Sequence, residues 1–522
     1  MLSLLDKWIV VVYLSISIVA GLLLAKKAGK SLEDYFLAGR SLSWWLAGMS
    51  MVASAFAVDT PFGITGIVAK HGLSGLWFVW AYAIGGAGTF SAMIFASLIR
   101  RSGIVTSAEF AELRYSGRSA AALRAFKGVY FGMFSLTISM GWVLKSIVDI
   151  CQEAMGWNVQ QSLLLVLILT IAYTMVSGFW GVAVTDFLQF FIGAIGSVSL
   201  CYFAYRHVGG MDGIQAGFEM RYGIVEATQR LSIIPKPGQD TFSMLLVYLT
   251  LKWWGNPSSA LTQRILSTKN ERHAMLSMLM FTTMHFALNY WPMILCGLAS
   301  LVLYPHLDPE KAGIGYAKLI VDVLPSGMRG LMIAAMAAAF MSTIDTQANW
   351  GAALLVNDLY KRFFVRDKSQ KHYVAASKVA TLIMLVIGVI GFYLTSSVRG
   401  AWETLATMTA GYGFVAVARW FWWRVTAVTE FAALIASFTT SMLVNHILQP
   451  RFHIGGDYIF KNYGYRFAFI SLVTTLSWII VTRMTKAPSV DSLYEFCKKV
   501  KPYPALWGPV HAAFPDIDWN PH

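Results

Sequence analysis

Acidic residues are scarce in this chain. Only 27 of its 522 residues are Asp or Glu, against 41 Lys or Arg, and the four types together make up 13%. A soluble chain carries roughly 25%. Too little charge is present to cover several water-facing domains, so length alone does not argue for them. Cysteine is scarcer still: Cys151, Cys201, Cys296 and Cys497 are the whole supply, and they show no metal-ligand spacing. Three lie in or beside apolar runs, which argues against a disulfide framework. Ten histidines are spread along the chain, and His273 and His285 lack the interval of a zinc pair. That argues against a metalloenzyme, and no constellation for covalent chemistry stands out; no enzymatic activity is expected. Alternating apolar and polar runs are also missing, which excludes a membrane β-barrel.

Long, unbroken apolar runs fill the space left by charge. Hydrophobic residues make up 57% of the chain and aromatics 14%. Such runs cross a bilayer as α-helices. Run length predicts an all-α multi-span membrane protein with about thirteen spans. Their cores lie at 8–25, 43–68, 73–98, 126–150, 162–178, 183–204, 243–261, 275–303, 329–356, 375–395, 402–421, 427–447 and 466–482. The first run leads into Lys26, Lys27 and Lys30 without a small-residue cleavage site, so it reads as a span and not as a leader.

The net charge is +14. Nucleic acid is not the implied partner; the lipid bilayer is, because Lys and Arg collect in cytoplasmic loops. Basic clusters follow the first, third, seventh, ninth and eleventh spans, at Arg40, Arg100 and Arg101, Arg264 and Lys269, Lys361 and Arg362, and Arg419. Those loops are expected inside, the N-terminus outside and the C-terminus inside. The plasma (inner) membrane of a bacterium is the expected location, and a monomer the expected state. The chain divides into an extra span and inner loop (1–40), a first half (41–207), an external loop (208–239), a second half (240–424), two peripheral spans (425–484) and an inner tail (485–522).

Two spans are interrupted. The second reads Ser50-Met-Val-Ala-Ser-Ala-Phe-Ala-Val-Asp-Thr-Pro-Phe-Gly63, and the seventh Lys252-Trp-Trp-Gly-Asn-Pro-Ser-Ser259. Proline removes a backbone donor and frees a carbonyl. Unwound backbone is tolerated in a bilayer only where it lines a cavity. The two spans open stretches of similar length, 43–204 and 243–421, each with five spans. Matched interrupted helices in two halves point to a transporter binding site.

Several segments carry a resemblance. They are Glu33-Asp-Tyr-Phe-Leu-Ala-Gly-Arg-Ser-Leu-Ser-Trp-Trp45, Ser177-Gly-Phe-Trp-Gly-Val-Ala-Val-Thr-Asp-Phe-Leu-Gln189, Gln263-Arg264 with Lys269, and Ala338-Ala-Phe-Met-Ser-Thr343. In order and spacing they resemble the sodium/solute symporter family, which includes sodium–proline, sodium–glucose and sodium–sialic acid carriers. The resemblance implies a LeuT-type inverted repeat of five plus five helices, with one span before it and two after. It also implies Na+ as coupling ion, no organic cofactor and a small-molecule solute as cargo.

Ala339, Ser342, Thr343 and Thr346 share one helical face. Taken alone, the hydroxyls fit back-bonding to their own helix. By resemblance, the Ala339 carbonyl and the Ser342 and Thr343 hydroxyls join the carbonyls of Ala53 and Phe56 around sodium. Oxygen ligands suit a hard cation. Asp186 is either an interfacial helix-start residue or, with Asp345 and Thr346, part of a second cation or proton site. Two facing carboxylates repel unless a cation or proton lies between them. Proton coupling is therefore the alternative to sodium. Asp345 alternatively pairs with Asn349 one turn on or with a basic loop residue. For the solute, Ala57, Asp59, Thr60, Val79, Lys252, Trp253 and Trp402 are the expected lining. Ala55, Thr60, Val79 and Trp402 stand where the sugar carriers of the family have polar groups, which argues against glucose-type recognition. Lys252 either snorkels to an interface, pairs with a carboxylate such as Asp59, or counters an anionic solute, and Asp59 alternatively holds a solute amine, so an anion, a zwitterion and a neutral solute all stay open.

Overall fold

The computed structural model describes residues 2–24, 31–84, 88–251, 260–449, 459–504 and 507–519. It is helical throughout: among the described residues the only β pairing is a single bridge between Leu42 and Thr268. Among the described residues, seven helices are long and apolar enough to cross a bilayer, and a bent pair, Trp44–Ala55 and Thr60–His71, makes an eighth. The seven are Gly117–Met155, Thr185–His207, Glu271–Leu303, Met328–Phe364, Gln370–Leu394, Ala427–Leu448 and Tyr463–Met484.

Helix Met328–Phe364 is the axis of the molecule. Its sequence is rich in Ala, Gly, Ser and Thr, and small side chains let neighbouring backbones approach. Its membrane window is 83% buried, the highest value among the spans, whereas peripheral Tyr463–Met484 is 33% buried. The first half of the broken pair, Trp44–Ala55, and helix Thr185–His207 pack on it.

Glycine sets another close approach. Gly391 in Gln370–Leu394 lies against Gly141 in Leu136–Met155, and a Cβ on Gly391 would stand 1.7 Å from the Thr137 carbonyl oxygen. We predict that Gly391→Ala lowers stability by about 1–3 kcal/mol, because the helices must separate. Chemical unfolding of the purified protein in detergent checks this, and an unchanged midpoint would contradict it.

One end of the bundle gathers the basic loops. Arg40 donates to the carbonyls of Leu266, Gly103 and Ile104. Arg100 donates to those of Thr268 and Lys269, and Arg101 to those of Val500 and Lys501. At the other end Asp6 accepts the N–H groups of Gly327 and Gly330, and Arg230 donates to the Ala69 carbonyl. The loops expected on one side of the membrane are thus together.

Four sequence expectations are revised. The eleventh span is not continuous: Val398–Met408 and Tyr412–Phe421 are separated at Thr409-Ala410-Gly411, where Gly411 adopts a φ of +81°. The third changes winding, from Trp77–Ile84 to a π-turn at Ser91–Phe95 and on into Ala96–Ser102. The fifth and sixth lie in one helical stretch, Val159–His207. At 1.5 Å per residue its 49 residues measure about 73 Å, too long for one crossing. The external loop is also largely helical, with Gly210–Tyr222 and Ile224–Arg230. The seventh span shows its flanks, Asp240–Thr250 and Ala260–Leu266, while its expected break at 252–259 lies outside the described residues.

Candidate functional site: an ion face at a helix break

The Trp44–Ala55 and Thr60–His71 half-helices meet at 52°. Ala55 ends the first turn-by-turn ladder, and Pro61 cannot donate back across the gap. Among the described residues, no backbone N–H bonds to the carbonyl of Ala53 or Phe56. The first half-helix thus presents its C-terminal, negative dipole end with free oxygens.

Helix Met328–Ala353 brings its hydroxyl face to this break. Thr343 Oγ1 donates to the Ser54 carbonyl at 3.3 Å and to the Ala339 carbonyl at 2.9 Å. Back-bonding, the bland alternative for Thr343, is therefore present, and the same hydroxyl also reaches the broken helix. Ala339, Ser342 and Thr343 are all buried. Ser342 and Thr343 thus meet the break at Ser54, next to Ala53 and two residues before Phe56.

Asp186 lies beside them, wholly buried on Thr185–His207. Its carboxylate accepts from Ser342 Oγ at 2.6 Å and Ser50 Oγ at 2.5 Å. An interfacial helix-start role is thereby ruled out. The cation beside it is Arg264. Its guanidinium donates to Asp186 at 3.3 Å, Ser54 at 2.5 Å, Thr346 at 2.7 Å and Ser50 at 2.8 Å. Arg264 also lies within electrostatic reach of Asp345, which is buried nearby. The sequence reading placed Arg264 in an inner loop as an orientation charge. The structure corrects this: the residue sits on the short helix Ala260–Leu266 and is fully buried. A positive charge is thus already present among Asp186, Asp345 and Thr346. Its neighbour Gln263 donates to Asn349 and to the Phe36 carbonyl, both at 2.8 Å.

The solute-lining candidates fall on the other side of the break. Asp59, Thr60, Ala57 and Val79 are buried, and Trp402 is half-buried. Trp402 Nε1 donates to Asp59 Oδ2 at 3.2 Å, while Thr60 Oγ1 donates to the Ala55 carbonyl at 3.2 Å. The Trp402 ring lies over Gly63, where a Cβ would stand 2.4 Å from it. Phe78 stacks parallel to Trp402 and Trp142 meets it edge-on, each at 6.5 Å between ring centres. Sequence reading missed Phe78 and Trp142. The Trp77 indole donates to the Ile233 carbonyl. Lys252 and Trp253 lie outside the described residues. Lys145 and Asp149, one turn apart, pair with each other at 2.7 Å.

Comparison with known proteins fits this arrangement. Among solved structures, a Na+-coupled sialic acid symporter aligns with a TM-score of 0.72, covering 93% of this chain and 99% of that one at 20% identity. The fold is thus that of a LeuT-type transporter. Among curated proteins, sodium/glucose cotransporter 4 of Danio rerio is 27% identical over 74% of this chain and 62% of its own length. Sodium/myo-inositol cotransporter 2 of Oryctolagus cuniculus is 25% identical over 94% of this chain and 78% of its own. The chain spans about six-tenths of the length of the first of these relatives. Residues 35–437 match the profile of the Sodium:solute symporter family, and the chain belongs to that family.

Proposed function

We propose that the protein is a sodium-coupled secondary active symporter that imports a small organic solute by alternating access. One observation carries the reading: a helix break with two carbonyls that lack backbone donors among the described residues, met at the Ser54 carbonyl by a buried Ala-Ser-Thr face. That set is all oxygen and nearly neutral, which suits a monovalent hard cation. Sodium bound by Ala53, Phe56, Ala339, Ser342 and Thr343 would tie the broken helix to Met328–Ala353 and favour one access state. Five-plus-five helices rocking about this junction would then release ion and solute inside. The wider reading has thirteen spans, the N-terminus outside, the C-terminus inside, and a monomer in the plasma membrane. Each net charge carried inward contributes about 2.3 kcal/mol per 100 mV, enough for roughly fifty-fold accumulation of a neutral solute.

The test is uptake into proteoliposomes under an imposed sodium gradient, screened across amines, amino acids, sugars and carboxylates. Sodium-driven, membrane-potential-dependent uptake is expected. Thr343→Ala and Ser342→Ala are expected to raise the half-saturating sodium concentration at least about tenfold, the cost of roughly 1.4 kcal/mol of lost ligation. Uptake of no solute under sodium, or uptake driven equally by protons alone, would overturn the reading.

A further inference from the structure

Asp59 differs from Asp186, Asp358 and Glu430, and also from Asp6, whose buried carboxylate has no ion pair among the described residues but accepts hydrogen bonds from Ser3, Gly327 and Gly330. Asp186 has Arg264, Asp358 has Arg124, and Glu430 has both Lys127 and Arg419. Among the described residues Asp59 has no ion-pair partner, although it is only 3% exposed. Its position invites an ordinary explanation, since it stands at the N-cap of Thr60–His71. The side chain makes no capping hydrogen bond, so that explanation fails. Oδ2 takes the Trp402 indole and the Trp142 indole also reaches the carboxyl group, while Oδ1 has no hydrogen bond of good geometry among the described residues. A carboxyl group at membrane depth is either protonated or compensated by a cation, and the cation is the case that binds a solute.

The surroundings specify what kind of cation. Phe78, Trp402 and Trp142 form an aromatic wall beside the carboxylate. Ring faces attract ammonium groups. The hydroxyl of the neighbouring Thr60 is spent on the Ala55 carbonyl. A polyol would therefore find few donors or acceptors, and would leave the charge uncompensated. Resting on the symporter reading above, we propose that the solute carries a protonated primary or secondary amine. Its N–H groups bind Asp59 Oδ1 while the carbon skeleton lies against Trp402 and Phe78. The indole N–H on Oδ2 keeps the carboxylate oriented toward the amine.

Ethanolamine and ethylene glycol test this directly, because they differ only in the ammonium group. Binding is read from the tryptophan fluorescence of the full-length protein in lipid nanodiscs, with glycolate and glucose as further probes at up to 100 mM. Ethanolamine is expected to bind at least tenfold more tightly than the other three. Asp59→Asn should weaken it at least tenfold, Asp59→Glu should retain most of it, and Trp402→Phe should preserve the preference for ammonium. Equal or better binding of ethylene glycol or glucose overturns the proposal, as does no ethanolamine binding or an unaffected Asp59→Asn. The comparison of probes on the unmodified protein stands even if a variant misfolds. Sodium binding is followed separately, as sodium-dependent thermal stabilisation lost in Thr343→Ala. Stabilisation without ammonium selectivity overturns the amine assignment alone. Ammonium selectivity without sodium stabilisation overturns sodium coupling and leaves the amine site standing.

Discussion

Replacing Arg264 by Ala is expected to destabilise the folded protein by about 3–5 kcal/mol, because it leaves a buried carboxylate without its cation. Asp186 is fully buried, as is Arg264, and their contact lies at the junction of three elements. The guanidinium reaches Ser50 and Ser54 on the first half-helix, Asp186 on Thr185–His207 and Thr346 on Met328–Ala353. Lysine cannot copy a planar fork with several directed donors, so Arg264→Lys is expected to recover little. The double variant Arg264→Met with Asp186→Asn should be more stable than Arg264→Ala, since removing both charges removes the desolvation penalty. Denaturant unfolding of the purified proteins measures this. An Arg264→Ala variant as stable as the parent, or a double variant no better than the single, would refute the account. Transport is expected to fail in the double variant even where folding recovers. Ser342 then has a neutral amide in place of the carboxylate that accepts its hydrogen bond, and the ion face loses its orientation.

The parts of this site that were legible in sequence are those coded locally. Asp59 and Pro61, with small residues before them, announced the broken span, because proline acts on its own backbone. Ala339, Ser342, Thr343 and Thr346 announced one helical face by spacing alone, and the structure buries that face at the break. Arg264 was not legible. Its partners lie 78 to 214 residues away in sequence, and its neighbourhood of Lys269 and Arg272 looks like any inner loop. Phe78 and Trp142 were hidden for the same reason: an aromatic residue in an apolar run carries no mark of the ring it will meet. The break in the eleventh span did leave a signal, glycines at 411 and 413 beside Thr409, and an apolar-run count passes over it. The π-turns at Ser91–Phe95 and Tyr130–Ser135 left none.

Glu430→Ala is expected to match or exceed the cost of Arg264→Ala, because it orphans two cations. Glu430 is fully buried and accepts from Lys127 at 2.8 Å, Arg419 at 2.5 Å and Tyr412 at 3.2 Å. These partners come from Gly117–Val129 and Tyr412–Phe421, so the carboxylate on Ala427–Leu443 joins three helices. Removing it leaves Lys127 and Arg419 buried with like charges, and each uncompensated ion costs about 3–5 kcal/mol before relaxation. Arg419 is also held by the tail side of the molecule. Its carbonyl accepts from Arg114, whose guanidinium lies 4.7 Å from the centre of the Trp507 ring, and Trp507 donates to the Trp420 carbonyl. Arg419 therefore has little freedom to swing into water, and Lys127, on a longer flexible stem, has more. This asymmetry separates two explanations. If charge balance governs the cluster, Glu430→Gln should be nearly as damaging as Glu430→Ala, and adding Lys127→Met should return a large part of the loss. If shape governs it, Glu430→Gln should be mild and the second change harmful. Unfolding midpoints of the four proteins decide between them, and a mild Glu430→Gln would overturn the electrostatic account of this corner of the fold.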